Sequence, residues 1–78
     1  MPEMVQAVRD VVSALVGKPV RDEQPLVSSG MIDSLSVLTL ISALEERLQI
    51  HIPTADVQPD DFDTIALIVD TISRVSPT

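Results

Sequence analysis

The sequence predicts an all-α fold, a small bundle of three main helices plus one short helix, four in all, with a long first connection. Three observations predict it. Apolar residues recur at helical spacing in three separate stretches of the 78-residue chain. The one short alternating stretch has no convincing partner strand. The apolar residues, 45% of the chain, are almost all short and aliphatic, with Phe62 the only aromatic, a composition suited to close helix packing.

The first helix is expected over Pro2 to Val16. Pro2 suits an opening turn, where its missing N–H is not needed. Met4 or Val5, Val8, Val11 or Val12, and Leu15 then form one face. Gly17 is a natural stop, with Pro19 soon after. Residues 17–33 form a long connection containing Pro19, Pro25, Ser28, Ser29 and Gly30, and a loop of this length in so small a domain is often functional. Leu26, Val27, Met31 and Ile32 are expected to pin it to the bundle. The second helix is expected from Ser34 to Leu48, with Val37, Leu40 or Ile41, Leu44 and Leu48 facing inward and Leu35 and Leu38 partly off that stripe. In the second connection Ile50 and Ile52 alternate with Gln49 and His51 like a short strand, and Pro59 to Phe62 reads as one short helical turn. The last helix is expected over Thr64 to Val75, capped by Asp63, with Ile65, Ile68 or Val69, Ile72 and Val75 inward.

The length fits a single domain, 1–78. With no cysteine, no disulfide can staple it, and no His/Cys cluster offers a structural metal. The net charge of −7 argues against nucleic acid and against an anionic membrane surface. It favours partners with basic docking patches, or serves solubility alone. Met1 to Lys18 lacks the basic start and continuous apolar run of a signal peptide. Val37 to Leu44, the longest mostly apolar stretch, is interrupted by Thr39 and Ser42 and is too short to span a bilayer. A cytoplasmic monomer without a membrane partner is expected.

Catalytic constellations are sparse. The single histidine, His51, lies between two isoleucines and reads as a surface or packing residue. Asp60, Asp61 and Asp63 lack the spacing and glycine of a calcium loop and read as a solvated face with an N-cap. One candidate site remains: a serine follows the glycine-containing loop Leu26 to Asp33 and opens an apolar helix. On local chemistry alone, Asp33 or Ser34 caps that helix and Gly30 makes a turn.

The run Gly30 to Leu35, with Asp33-Ser34-Leu35 at its end, resembles the phosphopantetheine attachment motif of the acyl carrier protein family. The resemblance extends through Leu40-Ile41-Ser42-Ala43-Leu44-Glu45-Glu46, Ile50-His51-Ile52-Pro53 and Asp63-Thr64-Ile65, in order and over nearly the whole chain. It implies an acyl-carrier-type bundle that is not an enzyme. It would hold an acyl or aminoacyl group as a thioester on a 4'-phosphopantetheine arm attached to Ser34. It also implies that Asp33 helps a phosphopantetheinyl transferase dock near its magnesium ion. Leu35 and Leu38 would offer partner enzymes an apolar patch, and Glu45 and Glu46 would meet basic surfaces. The partners would be that transferase, an adenylating or acyl-loading enzyme, and downstream acyl-transfer enzymes. The absent thiol agrees, because a cysteine-free chain needs a cofactor to supply sulfur. So does the absent base, because serine alone is a poor nucleophile.

The chain departs from fatty-acid carriers where acidic residues commonly follow the serine-leucine pair, since Ser36 and Thr39 stand there. That pattern is closer to stand-alone D-alanyl carriers and to peptidyl carriers of nonribosomal synthesis, so secondary-metabolite (nonribosomal peptide or polyketide) or related biosynthesis is expected. Leu48 and Gln49 stand where the family often has an aromatic and a glycine, which reads as a packing variation. The alternative function is an unmodified helical interaction module.

Overall fold

A helix that opens on proline and stops on glycine leaves little choice of ends. In the computed structural model, which describes residues 2–75, α1 spans Pro2–Val16. Gly17 has φ +79° and donates its N–H to the Ser13 carbonyl at 2.8 Å, the left-handed stop that glycine makes without a Cβ penalty. Residue 1 and residues 76–78 of the expected 1–78 domain lie outside the described residues.

The second helix, α2, spans Ser34–Leu48 and buries Val37, Leu40, Ile41 and Leu44. It ends at Gln49, which adopts the left-handed conformation with φ 56°. A glycine is favoured there because it has no Cβ to crowd the carbonyl. The glycine usual at this place thus has a backbone reason, which corrects its reading as packing. The third helix, α3, spans Ile65–Val75 and buries Ile65, Ile68, Thr71 and Ile72.

Between α2 and α3 the chain makes two short 3₁₀ turns, Thr54–Asp56 and Pro59–Phe62. The second was expected as a helix, and the first was not expected. The described residues therefore form three α-helices and two 3₁₀ turns, all-α as predicted but not a four-helix bundle. Pro59 and the Gln58–Asp61 capping pair hold the second turn to one tight loop of chain. The alternating segment around Ile50 and Ile52 is not a strand. Ile52 is buried, Ile50 packs partly against the core, and the Ile52 N–H donates to the Glu45 carboxylate at 2.8 Å.

The core gathers Val8 and Val12 from α1, the inward stripe of α2, and Ile65, Ile68 and Ile72 from α3. Helix α1 packs on α2 and α3, and the Pro59–Phe62 turn closes the bundle against α3 and α2. Leu26 and Ile32 of the first connection are fully buried, and Val27 and Met31 pack partly against the core. Val20 is also buried, an anchor the helical spacing did not reveal. The Arg9 guanidinium pairs with Asp22 and ties the start of this connection to α1. Both side chains are partly exposed, so the pair contributes little stability.

Candidate functional site

Asp33, extended at φ −91° and ψ 177°, is the N-cap of α2 and accepts the Ser36 N–H at 2.8 Å. That settles which of two adjacent residues does the capping. Ser34 is left as an exposed first residue of the helix. The Ser36 N–H, with the Ser36 hydroxyl and the Leu35 N–H in support, holds the Asp33 carboxyl below its ordinary range, because those bonds favour the charged form. An anionic cap thus stands directly beside the serine.

Leu35 is 76% exposed and Leu38 53% exposed, so both leave the core and flank Ser34 on the outer face of α2. Met31 is half-buried just before the helix. Glu46 is exposed, whereas Glu45 is half-buried. Its carboxylate takes the Ile52 N–H and lies 3.3 Å from His51 Nδ1. His51 follows the far end of α2, and fifteen residues at the helical rise put it about 20 Å along the axis from Ser34. It is therefore not placed to act as a base for that hydroxyl.

The first connection is wired to the start of α3 by a residue that sequence reading took for something else. Asp63 does not cap α3. Thr64 Oγ1 accepts the Leu67 N–H at 3.0 Å and fills that role. Asp63 Oδ1 instead accepts three consecutive backbone N–H groups, from Leu26, Val27 and Ser28, at 3.1, 2.8 and 2.8 Å. The Ser28 hydroxyl donates to Asp63 Oδ2 at 3.0 Å. These bonds, the Ser28 N–H foremost, hold the Asp63 carboxyl below its ordinary value. The acidic run is therefore not simply a solvated face, since Asp61 is also occupied, accepting the Gln58 N–H at 2.8 Å. Nothing local signals the Asp63 contact, because its partners lie 35 to 37 residues away.

Both lowered carboxyls carry the same pH sign. Their contribution to stability is full above the ordinary carboxylate value of 3.8 and is lost as pH falls through the lower folded value. Urea unfolding followed from about pH 5 down to about pH 2 is expected to show falling stability, and Asp63→Asn is expected to flatten that dependence. An equally steep loss in the variant would count against this source.

The geometry fits a covalent arm. An exposed hydroxyl on the opening turn of a helix leaves room for a large substituent, and the positive end of the helix dipole favours an attached phosphate. Ser34 thus opens its helix without capping it, and the chain's one histidine lies at the other end of that helix. Comparison with known proteins agrees. The family described as "Phosphopantetheine attachment site" matches residues 6–72. The chain belongs to that family, and carriers of this type are not themselves enzymes. The D-alanyl carrier protein of Streptococcus sanguinis (strain SK36) is 29% identical over 68 residues, covering 85% of this chain and 86% of its own length. That of Lactobacillus acidophilus is 26% identical over 66 residues, covering 82% and 84%. No solved structure matches significantly. The family implies covalently attached 4'-phosphopantetheine, which when bound supplies the thiol that holds an acyl group as a thioester.

Proposed function

We propose that Ser34 is the attachment point and that the protein presents an aminoacyl or other acyl group to partner enzymes. The observation that carries this is the exposed Ser34 hydroxyl, freed from capping by Asp33. In loading, Ser34 Oγ forms a bond to the phosphorus of coenzyme A nearest the pantetheine. The pyrophosphate P–O bond breaks, adenosine bisphosphate leaves, and the hydroxyl proton passes to a base on the transferase.

Asp33 faces that transferase as a fixed negative charge near its magnesium ion. Leu35 and Leu38 supply an apolar docking patch, and Glu46 supplies charge for basic partner surfaces. Glu45 contributes its charge while also holding Ile52. Those partners are the transferase, an adenylating or acyl-loading enzyme, and downstream acyl-transfer enzymes, in nonribosomal peptide, polyketide or related biosynthesis. Similarity to D-alanyl carriers supports an aminoacyl cargo. No helix among the described residues is long and apolar enough to cross a membrane, and the carrier is proposed to work in the cytoplasm.

The test is intact mass after incubation with coenzyme A and a broad-specificity transferase. A gain of one phosphopantetheine is expected, and no gain would favour an unmodified interaction module. Asp33→Asn separates charge from capping, because asparagine caps as well as aspartate. It is expected to lower the melting temperature only slightly while slowing loading. Unchanged loading would remove Asp33 from the docking role.

A further inference from the structure

We infer that Asp63 is a positioning residue for the modification of Ser34, acting through the first connection; this rests on the reading of Ser34 as the attachment point. The bonds form a continuous path. Asp63 Oδ1 gathers the N–H groups of Leu26, Val27 and Ser28, and the Asp63 carbonyl takes a further bond from Leu26 N–H at 2.6 Å. The turn so fixed then holds the residues leading to Ser34. Gly30 N–H donates to the Val27 carbonyl at 3.0 Å, and Ile32 N–H to the Leu26 carbonyl at 3.0 Å. The Ser29 hydroxyl donates to the Pro25 carbonyl at 2.8 Å and accepts the Met31 N–H at 3.3 Å. Ile32 is buried, and the next two residues are the cap Asp33 and the exposed Ser34.

A carboxylate at this place is not explained by the helix it precedes, because Thr64 already caps α3. It is explained by the turn. Three successive N–H groups converging on one oxygen form charge-assisted bonds, which are stronger and more directional than neutral ones. They fix a loop that otherwise has few bonds of its own to α3. Asp33 and the Ser34 hydroxyl must meet a transferase as a pair, and a rigid approach to the helix lowers the ordering cost of that encounter. Loss of the clamp leaves Ser34 chemically intact but presents it from a loosened loop.

The test compares Asp63→Asn and Asp63→Ala with a variant at Ile72, buried on α3 and taking no part in these side-chain hydrogen bonds. The Ile72 variant, Ile72→Val or Ile72→Ala, is chosen to match the Asp63 variants in melting temperature. Loading kinetics are measured with coenzyme A and a broad-specificity transferase well below melting, and amide hydrogen exchange is followed by NMR. Asp63→Ala is expected to lower kcat/KM for loading about tenfold, mainly through KM, with Asp63→Asn between it and the parent. Exchange protection at Leu26, Val27, Ser28 and Ile32 is expected to fall, while α1 and α2 core amides keep theirs. The stability-matched Ile72 variant is expected to load with the parent's KM. A parental KM in both Asp63 variants, or an equal rise in the Ile72 variant, would overturn the inference and leave the Ser34 reading standing. No mass gain in the parent protein would overturn both.

Discussion

Ser34→Ala is expected to abolish phosphopantetheine loading outright while leaving the fold and its melting temperature essentially unchanged. The two halves of that expectation have separate causes. The mass gain needs an oxygen at this position, and three hydroxyls of the first connection and the start of α3 are otherwise engaged. Ser28 Oγ donates to Asp63, Ser29 Oγ to the Pro25 carbonyl, and Thr64 Oγ1 caps α3. The fold does not need Ser34, because Asp33 holds the cap through Ser36 N–H. Alanine is also the better helix former at an exposed first-turn position. Intact mass and a thermal melt on the same sample check both halves. A full mass gain in the alanine variant would move the attachment elsewhere, and a collapse in melting temperature would mean Ser34 has a structural role that its exposure does not reveal.

Phe62→Ala is expected to bring the domain to the edge of unfolding. Phe62 is the largest fully buried side chain, at 0% exposure, and lies in the central cluster with Leu26, Ile32, Leu40, Leu44 and Ile68. It enters that cluster from the Pro59–Phe62 turn, which packs on α3 and α2. Truncating a buried phenylalanine costs about 3–5 kcal/mol, part lost burial and part cavity. A chain of this length has a total stability of about 4–12 kcal/mol. No disulfide makes up the difference, since the chain has no cysteine. Urea denaturation should show a midpoint shifted far toward zero. A loss below about 1 kcal/mol, well under that range, would show that the aliphatic neighbours collapse into the space.

The parts of the fold legible in the sequence are those governed by near neighbours. Pro2 and Gly17 bound α1, and the acid before Ser34 marks the start of α2, so both helices run over the residues expected. The exposure of Leu35 and Leu38 followed from their falling off the apolar stripe of α2. Legibility failed where a distant partner decided. Asp63 and Thr64 are both competent caps, and only the needs of a loop 35 to 37 residues earlier in the chain assign the acid to that loop and the hydroxyl to α3. Gln49 shows a different limit: α2 ends at Leu48 as expected, but the left-handed conformation that closes it was not foreseen. The Thr54–Asp56 turn, which buries none of its residues, left no apolar pattern to find.

The Asp63 contact also orders events in time. Closing a contact across 37 residues carries a loop entropy that local helix formation does not. Helices α1 and α2 can form on their own stretches of chain, but the N–H groups of Leu26 to Ser28 have no acceptor on Asp63 until the segment leading into α3 has docked. During synthesis, residue 63 leaves the ribosome well after Ser34 does. On the roles proposed above for Ser34 and Asp63, efficient loading is expected only after the segment leading into α3 has docked.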